Sequence, residues 1–148
     1  MGLSSRSAVA IHALTKLAQR ADQTLTSAEI ADSLASNPVL VRRILGNLRD
    51  AGIVWSTEGR GGGWALARAP REITLLDAYA AVEEGPLLSG HAHAPSDACE
   101  VGRHMQGVLD VEFREAERAM EERLGRTTIA HLLRQVVARE QELARRER

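Results

Sequence analysis

A mainly α-helical chain with one small β-hairpin is what three observations on these 148 residues predict. Apolar residues recur at three- and four-residue spacing through most of the chain, the period of a helix that buries one face. The exception is a glycine-dense stretch from Glu58 to Pro70, EGRGGGWALARAP, bounded by short segments rich in β-branched and aromatic residues. A third pattern, from about Cys99 to Leu124, is a long amphipathic helix separated by a loop from everything before it. Aromatic residues are only 3% of the chain, so the core must be built from Leu, Ile, Val and Ala.

Each element follows from local chemistry. Between about Ser4 and Arg20 the apolar positions Ala8, Ile11, Leu14, Leu17 and Ala18 mark a first helix, and Asp22 and Gln23 break it. Thr26 with Glu29 forms a capping-box pattern that opens a short second helix through Ile30, Ala31 and Leu34. Asn37 can cap a third helix with Pro38 at its first position, where a missing N–H costs nothing. That helix buries Val41, Ile44, Leu45 and Leu48 and runs to about Asp50, and Gly52 supplies its stop. IVWS and WALAR read as two strands with the glycines at the tip between them.

Two short helices joined by a short turn, the second presenting Arg42, Arg43, Asn47 and Arg49 on its polar side, describe a helix-turn-helix. A solvated helix face would display the same arginines, so the glycines decide. A hairpin directly after a recognition helix is a wing. Glycines at its tip turn the chain at positive φ and bring backbone close to a phosphate, with Arg60 at the tip and Arg68 at the base as charge. A nucleotide-binding phosphate cradle is poorly matched: no Gly-Lys-Ser or Gly-Lys-Thr is present, and position 64 is Trp where the dinucleotide fingerprint requires Gly. The predicted fold is therefore a winged helix-turn-helix followed by a long carboxyl-terminal dimerisation helix.

After the hairpin, Thr74 and Asp77 form a second capping pattern ahead of a short amphipathic helix. Residues Gly85 to Ala98 are loop-rich. In the long helix Met105, Leu109, Phe113, Ala116, Met120 and Leu124 form one stripe flanked by charge, and such a stripe needs an apolar partner, most economically a second copy of the chain. Gly125 ends that helix. A last one starts near Thr128 and is expected to fray into ARRER. The division expected is residues 1–84 as the DNA-binding part, 85–98 as linker, and 99–148 as the dimerisation and final helices.

Net charge is −1, but it is unevenly placed: residues 1–70 carry eight Lys and Arg against five Asp and Glu, whereas 71–148 carry eleven against fifteen. A basic front of +3 and an acidic back of −4 suit a protein that meets nucleic acid with one end. The amino-terminal segment has no apolar run long enough for a signal peptide or a membrane span, because Arg6, His12 and Lys16 interrupt it. Together with a single cysteine, that points to a cytoplasmic protein with no membrane partner.

The segments SSRSAVAIHALTKLA, SAEIADSL, NPVLVRRILGNLRDAGIV, EGRGGGWALARAP and EITLLDAYAAVE resemble the Rrf2 family of winged helix-turn-helix transcriptional regulators over about residues 4 to 84. The resemblance implies a homodimer that sets two winged motifs on a palindromic operator in double-stranded DNA. It also implies that Asn37, Val39, Leu40, Arg42 and Arg43 enter the major groove, with Asn47 on the same helix and Arg60, Gly61 and Gly62 at the wing tip beside the minor groove or its phosphates. Some members carry an arginine where this chain has Glu58, so the detailed wing contact is not transferable. Members that bind an iron–sulfur cluster place three cysteines ahead of the long helix. Here Cys99 stands alone, which makes this chain a cluster-free type with no expected cofactor.

The signal remains open between a small effector and thiol oxidation. Cys99 at a helix amino terminus is a candidate redox sensor, set against a plain small buried residue, with Glu100 opposing thiolate formation. His91, His93, Cys99 and His104 have ligand chemistry but match no standard metal spacing, so the expectation is a polar loop. His12 and His131 lack a nearby nucleophile or paired acid, so no enzyme activity is expected. An adaptor that uses a winged helix on protein rather than DNA is the competing assignment, and the arginines of the third helix distinguish the two.

Overall fold

The computed structural model describes residues 4–148. Helix α1 (Arg6–Gln19) buries Val9, Ala10, Ala13, Leu14, Leu17 and Ala18, one continuous face at helical spacing. Helix α2 (Ser27–Leu34) opens on the expected capping box: the Thr26 hydroxyl accepts from Glu29 N at 3.2 Å, and Thr26 N donates to Glu29 Oε2 at 2.8 Å. Helix α3 (Pro38–Asp50) is capped by Asn37, whose Oδ1 accepts from Val39 N at 2.8 Å. It stops at Gly52, where φ is +74° and Ile53 N returns to Leu48 O at 2.9 Å, satisfying a carbonyl that the helix leaves open.

Strands β1 (Val54–Thr57) and β2 (Gly63–Leu66) pair antiparallel with Val54 opposite Leu66 and Thr57 opposite Gly63. The hairpin has a third contact that the sequence pattern does not display. Leu25 bridges Trp64, with Leu25 N to Trp64 O at 3.0 Å and Trp64 N to Leu25 O at 2.7 Å, so the chain ahead of α2 lies along the outer edge of β2. Gly63 makes that approach possible: a Cβ there would stand 2.6 Å from the Leu25 carbonyl oxygen.

A single 3-10 turn, Pro70–Glu72, leads to α4 (Leu75–Val82), which carries the second expected capping box on Thr74 and Asp77. The far end of α4 is tied to the start of α1. Glu83 accepts from Ser7 Oγ at 2.7 Å and Ser7 N at 3.2 Å. Burial pushes this carboxyl upward, but the hydroxyl and amide donors outweigh it and hold the pKa below the usual 4.5. The folded state therefore gains stability from Glu83 above the ordinary carboxylate range and loses it as pH falls through the lowered value. In urea titrations Glu83→Ala should cost about 1 kcal/mol at neutral pH, since the site is half-exposed, and the gap to wild type should narrow as pH falls below the ordinary carboxylate range.

Helix α5 (Glu100–Gly125) contributes no buried residue to the protomer. Its expected stripe is real but only half-covered at Met105, Leu109, Phe113, Met120 and Leu124, and Ala116 is exposed. A second apolar set, Val101, Val108 and Val111, lies open at 51–60% exposure. Helix α6 (Ile129–Arg146) then folds back along α1. It enters through a one-rung β-bridge between Thr74 and Thr128, in which Leu75 N donates to Thr127 O and Ile129 N to Ile73 O, both at 2.9 Å. Ile129 is wholly buried in the same core as Leu14, Ile30, Leu45, Leu48 and Ile73. The helix does not fray at ARRER but continues to Arg146, because Arg and Glu are good helix formers and Arg145 and Arg146 suit the negative end of the dipole.

Candidate nucleic-acid interface

Three residues, Ala35, Ser36 and Asn37, connect α2 to α3. Ala35 takes a left-handed conformation, φ 47°, letting its N–H reach Asp32 O and that of Ser36 reach Ala31 O. The turn sets α3 across α2 with its buried side fixed by Val41, Ile44, Leu45 and Leu48. The opposite side is left to solvent. Val39 is 64% exposed on that side. Arg42 and Arg43 are exposed, and neither has a hydrogen-bond or ion-pair partner among the described residues.

Not every side chain of the expected set faces outward in the same way. Leu40 is half-buried and packs on the core, and Asn47 is half-buried. Asn37 has its oxygen committed to the cap, leaving its amide N–H2 group as the free donor. Arg49 turns toward the wing instead, its guanidinium 5.7 Å from the centroid of Trp64 and 3.7 Å from Asp50. That stacking fastens the end of α3 to β2.

At the wing tip Gly59 and Gly61 adopt φ of +85° and +74°, and Gly62 N closes the turn on Gly59 O at 3.1 Å. Gly62 has no room for a side chain, since a Cβ would meet the Thr57 carbonyl and stand 2.9 Å from Gly59 O. Thr24 Oγ1 holds the tip from outside through Gly61 O at 3.3 Å. Arg60 projects from this turn, exposed and without a partner among the described residues. Arg68 at the base is different: it donates to Glu72 O at 2.6 Å and pairs with Asp77 at 3.5 Å, so its charge braces the start of α4.

Cys99 is the N-cap of α5 and is exposed, which removes the reading of it as a small buried residue. The N–H groups of Gly102, foremost, and Val101 lower its thiol pKa, although neither makes a full capping bond. His91 lies against Gln106 at 3.3 Å. Among the described residues no three His, Cys, Asp or Glu side chains come close enough to share a metal ion. No described helix is long and apolar enough to cross a membrane.

The family model described as Rrf2, an iron-dependent transcriptional regulator, matches residues 3–135. YwnA of Bacillus subtilis (strain 168), provisionally described as an HTH-type transcriptional regulator, is 37% identical over 131 residues, 88% of this chain and 96% of its own. Among solved structures, one from Lactobacillus plantarum, provisionally described as a transcriptional regulator, superposes with a TM-score of 0.78 at 25% identity and covers 98% of both chains. Another, provisionally described as a DNA-binding protein, has a TM-score of 0.69 at 36% identity, covering 87% of this chain and 99% of that one. The iron in the family description finds no fitting ligand set among the described residues, because clusters of iron and sulfur need several thiolates and the chain supplies one, Cys99. The outward arginines of α3, the glycine-tipped hairpin braced on it and the match along nine-tenths of the sequence converge: the chain belongs to the Rrf2 family of transcriptional regulators.

Proposed function

We propose that the protein is a homodimeric, sequence-specific DNA-binding repressor that occupies a palindromic operator. The observation that carries this reading is the set of three cations, Arg42, Arg43 and Arg60, that have no partner among the described residues and stand on a helix and a hairpin tip, whereas Arg49 at the helix end and Arg68 at the hairpin base are engaged. Charge left free on a braced frame suits a polyanion that is not part of the chain. The division into residues 1–84 for DNA binding, 85–98 as linker and 99–148 for assembly goes with this reading, the final helix lying back on α1. The open valines of α5 supply the surface on which a second copy is expected to dock, spacing two α3 helices about one DNA turn, roughly 34 Å, apart. Major-groove reading falls to Val39, Arg42 and Arg43, with support from Asn37, Leu40 and Asn47. Gly61 and Gly62 bring backbone near the phosphates beside Arg60.

A thiol signal fits Cys99, exposed and with its pKa lowered where the loop joins α5. Peroxide would transfer one oxygen to the thiolate, breaking its O–O bond and leaving a sulfenic acid and a hydroxide that takes a proton from solvent to become water. The test is fluorescence anisotropy with duplex DNA from upstream of the protein's own gene, beside a scrambled duplex, in reducing buffer and after mild peroxide. Selective binding that vanishes on oxidation, and persists in Cys99→Ser, supports both parts. Selective binding indifferent to oxidant removes the thiol signal and keeps the regulator, and a preference for neither duplex counts against this operator.

The stacking of Arg49 on Trp64 makes a separate prediction. Arg49→Ala frees the end of α3 from the wing without removing a phosphate contact, so affinity should fall only about three- to fivefold, of the order of one exposed cation–π contact. The dependence of log affinity on log salt should stay the same, whereas losing a phosphate contact would lower that slope by about one.

A further inference from the structure

Gly46 stands in the third turn of α3, where a glycine is expensive: fixing it in a helix interior costs more backbone entropy than fixing any other residue. Inside the protomer nothing requires it. Its backbone is ordinary right-handed helix, and a Cβ built on it meets no atom within 4 Å. Gly62 and Gly63 are the contrast, since backbone carbonyls leave no space for a side chain at either. A helix advances about 100° per residue. Position 46 is therefore opposite the buried side formed by Val41, Ile44, Leu45 and Leu48, on the outward face that carries Val39, one turn beyond Arg42 and Arg43. A side chain at 46 would obstruct only something outside the protomer that seats on that face.

We infer that Gly46 is a positioning residue for DNA: the missing side chain lets the backbone of α3 lie against the duplex more closely than an alanine would permit. This rests on the DNA-binding reading above. Close seating gives Arg42 and Arg43 their reach. Held a methyl group's width further out, each guanidinium would have to extend along the groove and lose the paired geometry on which base reading depends.

The inference predicts that stability and binding move in opposite directions, which a structural role for the glycine would not produce. The full chain selects a duplex from a random-sequence library, and that duplex serves as the labelled probe. Gly46→Ala should raise the melting temperature by about 2–4 °C, because alanine is the better helix former, while weakening binding to the probe by about tenfold. Gly46→Leu, close to alanine in helix propensity but larger, should keep the fold and bind more weakly still. Arg43→Ala is the control for the reading beneath. If it weakens binding while both Gly46 variants bind like wild type, the inference is overturned and DNA recognition by α3 stands. If the Gly46 variants melt lower than wild type, the protomer itself needs the glycine and the inference is again overturned. If no duplex is enriched, or Arg43→Ala binds as wild type does, the DNA-binding reading falls and Gly46 with it.

Discussion

Arg43→Ala lowers the affinity for a selected duplex by between about five- and about a hundred-and-fiftyfold, the effect of losing about 1–3 kcal/mol of base or phosphate contact. The guanidinium is exposed and unpartnered among the described residues, so removing it leaves no buried group stranded and folding stability should change by less than about 0.5 kcal/mol. Two measurements separate the kinds of contact. If Arg43 reads a base, affinity for the selected duplex falls and affinity for a scrambled one does not. If it holds a phosphate, both fall together and the salt slope drops by about one. An unchanged affinity for both duplexes would contradict the placement of α3 in the groove and return weight to a winged helix that meets protein.

Ile129→Ala should destabilise the protein by about 2–5 kcal/mol, the range for truncating a fully buried isoleucine. Its side chain is 0% exposed within the core shared by α1, α2, α3 and α4, although it comes from a segment beyond the long helix. On the same α6, Val136 is 51% exposed, so Val136→Ala is the matched comparison and should change stability by no more than about 0.5 kcal/mol. Urea unfolding followed by circular dichroism gives both values. A loss below about 1 kcal/mol for Ile129→Ala would mean that α6 merely leans on a body complete without it.

What could be read in the sequence and what could not divide along the range of the interactions. Thr26 with Glu29, Thr74 with Asp77, and Asn37 with Pro38 announce helix starts because each cap closes on its own backbone within three residues. The hairpin and its glycine tip are local in the same sense. The bridges from Leu25 to Trp64 and from Thr74 to Thr128 are not, for nothing in the residues near Leu25 or Thr128 specifies the strand they meet. Ile129 resembles the first apolar residue of any helix until its neighbours are known. Val101, Val108 and Val111 were hidden by the stronger Met105 to Leu124 pattern, since a helix with two apolar sides blurs the single stripe that periodicity detects. At the candidate site, residue types pointed to α3 and the wing. Which cations are free among the described residues comes only from geometry: Arg49 is held by Trp64 and Arg68 by Glu72 and Asp77, and Arg42, Arg43 and Arg60 are left over.

The Thr74–Thr128 bridge also fixes how α5 can move. Immediately after Gly125 the chain is hydrogen-bonded to the segment that opens α4, so that end of the helix is a fulcrum on the body formed by α1 to α4 and the hairpin, while the Cys99 end hangs on a long loop. With 26 residues at about 1.5 Å each, the arm is about 39 Å long. A displacement of 1 Å at the Cys99 tip thus turns the arm by only about 1.5° at its pivot, little rotation for a small chemical change there. A signal received at that tip would therefore have to work by a swing of several ångströms or, in the proposed dimer, by loosening a second copy's hold along the arm, whereas one that disturbs the two-hydrogen-bond pivot would need hardly any travel.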